Sequence, residues 1–78
     1  MEILASKLKK VRQDKQMTQK SIADFLGMTP NAYQKYELGT RIPDLETLVK
    51  LTDFYNISVD YLLGRTAEPT INKPKESN

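Results

Sequence analysis

The segment MTQKSIADFLGMTPNAYQKYELG, residues 17–39, decides the fold of this chain. Thr18 predicts the start of a helix, because its hydroxyl can accept a hydrogen bond from a free backbone N–H in the first turn. Gly27 predicts the end of that helix, since glycine tolerates the left-handed backbone found there. Thr29 and Pro30 predict the start of the next helix, with proline at the first helical position. The segment therefore predicts two short helices joined by a tight turn.

The flanking sequence predicts three further helices, over residues 2–15, 45–55 and 59–63. The first has apolar residues at the i, i+4, i+7 spacing of one helix face, and the other two follow the capping residues Asp44 and Ser58. On the 45–55 helix, the residues predicted to face inward are Leu45, Leu48, Val49, Thr52 and Tyr55. The chain is therefore predicted to be all-α, with five helices.

The chain has 78 residues, with 12 basic and 10 acidic side chains, and contains neither cysteine nor histidine. These absences exclude a disulfide framework, a cysteine zinc site and a thiol nucleophile, and they remove the commonest general base. We therefore expect no catalytic function, no metal, no cofactor and no small-molecule ligand. No apolar run has the length of a signal peptide or a membrane span, which favours a cytoplasmic protein without membrane contact.

Composition divides the chain unevenly. Residues 1–65 are expected to form one domain, whereas 66–78, with two prolines and one large apolar residue, are expected to be disordered or loosely packed. Residues 1–41 hold eight basic and four acidic side chains, and 42–66 hold two basic and four acidic. A basic half is typical of a protein that binds a polyanion, although lysines on the solvated face of a helix give the same pattern.

Five short helices with a tight turn between the second and third describe a helix-turn-helix domain. Residues 4–64 also resemble, without a gap, the phage repressor and Cro-type helix-turn-helix family of bacterial regulators. The residues that carry the resemblance are Leu8 to Arg12, Met17 to Gln19, Ala23, Gly27 to Thr29, Tyr36 to Gly39, Arg41 to Pro43, Leu45 to Leu48 and Ser58 to Gly64. It implies a compact, five-helix, lambda-repressor-like fold and a sequence-specific regulator that binds double-stranded DNA. Repression by occupation of an operator is the expected mode of action.

The third predicted helix is expected to enter the major groove. Tyr33 and Tyr36 are expected to face inward as core anchors, although similar proteins usually have aliphatic residues there; a hydroxyl contact to phosphate is the alternative. The outward residues expected to read bases are Pro30, Asn31, Ala32, Gln34 and Lys35. Asn31 can pair bidentately with adenine, and Lys35 can donate to guanine or to a phosphate. Pro30 offers only apolar contact, where similar proteins often have a polar residue.

Contacts to the DNA backbone are expected near the helix starts and just after the third helix. Gln19 matches the family residue that contacts phosphate and braces the recognition helix, and the free N–H groups at helix starts favour anions. The predicted phosphate contacts are Thr18, Gln19, Lys20, Thr29, Thr40 and Arg41. Arg12 and Glu37 match a family pair that forms a partly buried ion pair, for which we expect a structural role.

Apolar residues crowd the end of the domain, over residues 54–63. Either they only close the core, or some form a two-fold interface, as in related domains; the candidates are Ile57, Val59, Tyr61 and Leu62. A homodimer, at least on DNA, would place two recognition helices about 34 Å apart on a palindrome. The alternative function is an antitoxin-like or other protein-binding module of the same fold, whose tail at 66–78 would fold on its partner.

Overall fold

The computed structural model describes residues 2–69, which form five α-helices and, within that range, no strand. Their bounds are Glu2–Asp14 for α1, Gln19–Leu26 for α2, Pro30–Leu38 for α3, Leu45–Tyr55 for α4 and Val59–Leu62 for α5. The prediction of an all-α, five-helix domain is confirmed. None of the helices in residues 2–69 combines the length and the apolar character needed to span a bilayer.

Each of the four later helices begins directly after the capping residue that the sequence predicts. The caps are Thr18, Thr29, Asp44 and Ser58, whose side chains each accept a hydrogen bond from the backbone N–H three residues on. Gly27 ends α2 with φ at 72°. A Cβ added there would meet no atom within 4 Å, so the glycine is required by the backbone conformation alone. This left-handed residue makes the tight turn between α2 and α3.

The core lies where α3 packs against both α1 and α2, with α5 closing it against α1. Its buried residues are Leu4, Leu8, Val11, Ile22, Ala23, Tyr33, Tyr36, Leu51, Tyr55, Ile57, Tyr61 and Leu62. The predicted apolar stripe of α1 and the inward orientation of both α3 tyrosines are confirmed. The four buried tyrosines bring hydroxyl groups close to the core, and each hydroxyl needs a hydrogen-bond partner or solvent.

The inward face of α4 differs from the prediction. Leu45 is 76% exposed and Val49 is 44% exposed, so the prediction that both face the core is wrong. The buried residues of α4 are Leu51, Thr52 and Tyr55, and the prediction omitted Leu51. Apolar side chains surround more than half of this helix, so the helical period alone fits several faces. Tertiary packing, which the period does not encode, selects the face centred on Leu51 and Tyr55.

Of the predicted tail, residues 66–69 are described, and 70–78 lie outside the described residues. The backbone N–H of Ser58 donates to the carbonyl oxygen of Pro69 at 3.0 Å. Pro69 also lines a cavity of about 390 Å³, together with Val11 and Tyr61. The described part of the tail therefore lies against the start of α5.

Candidate nucleic-acid interface

The two faces of α3 differ sharply in exposure. Tyr33 and Tyr36 are 0% and 5% exposed on the inner face. The base-reading candidates lie on the opposite side: Pro30, Asn31, Gln34 and Lys35 are exposed, and Ala32 is partly buried. A helix of nine residues is about 13 Å long, which suits a major groove about 12 Å wide. The outer face of α3 is thus free to enter a groove while the inner face anchors the helix.

The polar side chains on the outer face of α3 also have unused hydrogen-bond donors and acceptors. In the described part of the chain, the side-chain hydrogen bonds on α3 and at its ends come from Thr29, Tyr33, Glu37 and Thr40. They do not use the amides of Asn31 and Gln34 or the ammonium of Lys35. These groups therefore retain all the donors and acceptors that base edges recognise.

The predicted phosphate contacts lie at the start of α2 and at both ends of α3. Thr18, Lys20, Thr29, Thr40 and Arg41 are exposed, and Gln19 is partly buried. Lys20 forms an exposed ion pair with Asp24 at 3.0 Å, which is weak enough to open when a phosphate approaches. The Arg41 guanidinium lies 5.9 Å from the centre of the Tyr36 ring, within the range of a cation–π contact. Arg41 is therefore held beside the end of α3.

The predicted ion pair fastens α3 to α1. Arg12 Nε lies 2.7 Å from Glu37 Oε2, and Arg12 Nη2 lies 3.1 Å from Glu37 Oε1, which makes the pair bidentate. The two side chains are only 11% and 2% exposed. Arg12 Nη1 also donates to the carbonyl oxygen of Met17 at 2.8 Å. A single guanidinium therefore joins α1, the loop before α2 and α3.

Glu37 has two further partners. The Tyr33 hydroxyl donates to Oε2 at 2.6 Å, and Gln19 Nε2 donates to Oε1 at 3.1 Å. Burial alone would raise the pKa of Glu37, but the hydrogen bonds from Arg12, Tyr33 and Gln19 outweigh it and hold the pKa below its usual value. Burial, and then the hydrogen bond to Glu37, raise the pKa of Tyr33, so its hydroxyl stays protonated.

The polar role of Tyr33 was missed at the level of sequence, where a phosphate contact was the alternative to a core anchor. That alternative is wrong for Tyr33, because its hydroxyl is buried and donates to Glu37. The signal was present: Tyr33 and Glu37 are four residues apart, the spacing at which side chains meet on a helix.

The candidate dimer residues are mostly covered by the chain itself. Ile57, Tyr61 and Leu62 are 6%, 8% and 0% exposed, whereas Val59 is partly exposed. The large apolar side chains that do remain exposed in residues 42–66 are Ile42, in the loop before α4, and Leu45, Val49 and Phe54 on α4. Within residues 2–69, no three acidic side chains lie close enough together to bind a metal ion.

Comparison with known proteins identifies the family. Residues 8–62 match the helix-turn-helix family. The transcriptional regulator YqaE of Bacillus subtilis is 46% identical over 61 residues, which are 78% of this chain and 53% of that protein. The regulator ImmR of the same organism is 45% identical over 62 residues, 80% of this chain and 49% of ImmR. The cryptic phage CTXphi transcriptional repressor RstR of Vibrio cholerae is 46% identical over 50 residues, 64% of this chain and 45% of RstR.

The chain thus spans about half the length of the curated relatives it matches. No solved structure is a significant match. The matched residues contain α2, the tight turn and α3, together with the ion pair that fastens them to α1. The chain therefore belongs to the Cro/C1-type helix-turn-helix family.

Proposed function

We propose that this protein is a sequence-specific regulator that binds double-stranded DNA with α3 in the major groove and represses transcription by occupying an operator. The observation that carries the proposal is the division of α3: its polar outer face is exposed and unpaired, while its inner face is buried. Relatives named as transcriptional regulators and as a phage repressor support the same function. We propose no catalytic activity.

Asn31 and Lys35 are the residues proposed to contribute most to sequence preference, through adenine and guanine edges. Pro30 and Ala32 would make apolar contacts with the bases, and Gln34 would lie at the edge of the groove. Phosphate contacts from the start of α2 and from Thr40 and Arg41 would set the register of the protein on the duplex. A regulator of this kind acts where the chromosome lies, in the cytoplasm.

A homodimer on a palindromic site is the proposed binding form, because two copies of α3 can then read two half-sites about one helical turn apart. Among the four candidate interface residues, Val59 is the one that keeps partly exposed surface in the single chain. Sedimentation of the protein on a duplex with one half-site and on a duplex with two half-sites measures this stoichiometry directly.

The test is selection from a library of random-sequence DNA duplexes, followed by titration of the selected duplex at several salt concentrations. Neutralisation of about 6–10 phosphates predicts a loss of about 10³–10⁵-fold in affinity between 50 and 200 mM salt. Lys35→Ala should reduce the discrimination between the selected and a scrambled duplex, whereas Lys50→Ala on α4 removes the same charge and should not. Failure to enrich any duplex sequence would reject the proposal and favour the protein-binding alternative.

A further inference from the structure

The Glu37 carboxylate accepts hydrogen bonds both from Arg12, which anchors α3 to α1, and from Gln19, which is predicted to contact phosphate. Oε2 accepts hydrogen bonds from Arg12 Nε at 2.7 Å and from the Tyr33 hydroxyl at 2.6 Å. Oε1 accepts from Arg12 Nη2 at 3.1 Å and from Gln19 Nε2 at 3.1 Å. Four donors from three helices thus converge on one carboxylate, so displacement of one oxygen disturbs the partner of the other.

This arrangement determines which way the Gln19 amide points. An ionised carboxylate only accepts hydrogen bonds, so it must face the amide nitrogen of Gln19 and not the amide oxygen. One hydrogen of that nitrogen is used by Glu37, and the second remains available. Gln19 is the first residue of α2 and is partly exposed, so this second hydrogen can serve an acceptor outside the protein.

The charge on Glu37 does not oppose an anion beside it. Its carboxylate is paired bidentately with Arg12 and receives a hydrogen bond from Tyr33, so the negative charge is compensated locally. The start of α2 can therefore keep the positive character of a helix N-terminus although a carboxylate lies behind Gln19.

We propose that Tyr33 is a positioning residue for DNA-backbone binding: its hydroxyl holds Glu37, and Glu37 holds the Gln19 amide with a donor directed towards a phosphate. The inference rests on the proposed function. It assigns a role in DNA-backbone binding to a buried residue of α3 that does not itself touch DNA. Without the hydroxyl, Oε2 keeps Arg12 as its only partner, and the carboxylate can turn away from Gln19.

A double-mutant cycle tests this relay on the selected duplex, at a temperature at which every variant is fully folded by circular dichroism. Tyr33→Phe should weaken binding about three- to tenfold, within the net range of one ordinary hydrogen bond, because the Gln19 contact to phosphate is loosened and not removed. In a Gln19→Ala background, the same substitution should cause no further loss. Thr52→Val, which removes a buried hydroxyl that donates to the Val49 carbonyl oxygen on α4, is the control and should leave affinity unchanged.

Nuclear magnetic resonance tests the relay without DNA. The side-chain amide signals of Gln19 should move in Tyr33→Phe and remain in place in Thr52→Val. Equal losses of affinity with and without Gln19, no loss in Tyr33→Phe, or unmoved Gln19 signals would each overturn the relay. Failure of the wild-type protein to bind any duplex would instead overturn the proposed function, and the relay's role in DNA binding with it, even if the Gln19 signals moved as expected.

Discussion

Helices α3 and α4 follow each other in the chain, yet they are held in the domain by different forces. α3 buries Tyr33 and Tyr36 and has Glu37 in its last turn, where the carboxylate accepts hydrogen bonds from donors on α1 and α2. α4 buries apolar side chains around Leu51 and leaves Leu45 mostly exposed. Hydrogen bonds are directional, whereas apolar contact is not. The orientation of α3, on which base reading depends, is therefore fixed more strictly than that of α4.

Removal of Glu37 should have the largest effect, because it breaks the directional anchor. Glu37→Ala leaves Arg12 charged and nearly buried without its partner, which costs about 3–5 kcal/mol of unfolding free energy. Urea denaturation measures the loss. A change below about 1 kcal/mol would mean that water already screens the pair.

On α4 the comparison predicts a contrast between two leucines. Leu51→Ala creates a cavity at a fully buried site and should lower the unfolding free energy by about 2–5 kcal/mol. Leu45→Ala, at an exposed site, should change it by less than about 0.5 kcal/mol. Thermal unfolding of both variants in parallel is sufficient, and equal losses would contradict the orientation of α4.

Acid should weaken the anchor of α3. The folded-state pKa of Glu37 is lowered, so its contribution to stability is present above the unfolded pKa of about 4.3 and is lost as the pH falls through the folded pKa. Hydrogen bonds donated by Thr47 likewise lower the pKa of Asp44, so its contribution to stability is also lost in acid. Urea denaturation from pH 7 to pH 3 should show stability falling in acid, with a smaller slope in Glu37→Gln. Identical slopes would exclude a contribution from Glu37.

One substitution in the core is predicted to raise the stability. Among the buried side-chain polar atoms of residues 2–69, the Tyr55 hydroxyl is the one without a hydrogen-bond partner. Burial, with the charge of Glu37 acting in the same direction, raises the pKa of Tyr55 to about 12. Tyr55→Phe removes an unsatisfied group and should stabilise the fold by up to about 1 kcal/mol, whereas Tyr33→Phe should destabilise it. A loss of stability in Tyr55→Phe would reveal a partner for that hydroxyl.

The same contrast explains what the sequence could predict. Helix starts were predictable because Thr18, Thr29, Asp44 and Ser58 act within their own first turn. The buried face of α3 was predictable because the helix has few large apolar side chains, so the helical spacing favours the face of Tyr33 and Tyr36. On α4 the apolar arc is wide, so its buried face depended on neighbours that are distant in sequence. In the relay through Glu37, the contact with Tyr33 has a local signal in its four-residue spacing, whereas the contacts with Arg12 and Gln19 join residues distant in sequence and are not encoded in any local pattern.

The most direct measurement of the central claim compares the duplexes selected by the wild-type protein and by Asn31→Ala from the same random library. If the outer face of α3 reads bases, the wild type enriches a two-fold symmetric sequence. The variant should then lose its preference at one position in each half, by about 1–3 kcal/mol, and retain it elsewhere. Identical sequences from the two proteins, or a uniform loss of affinity for all duplexes, would contradict the account.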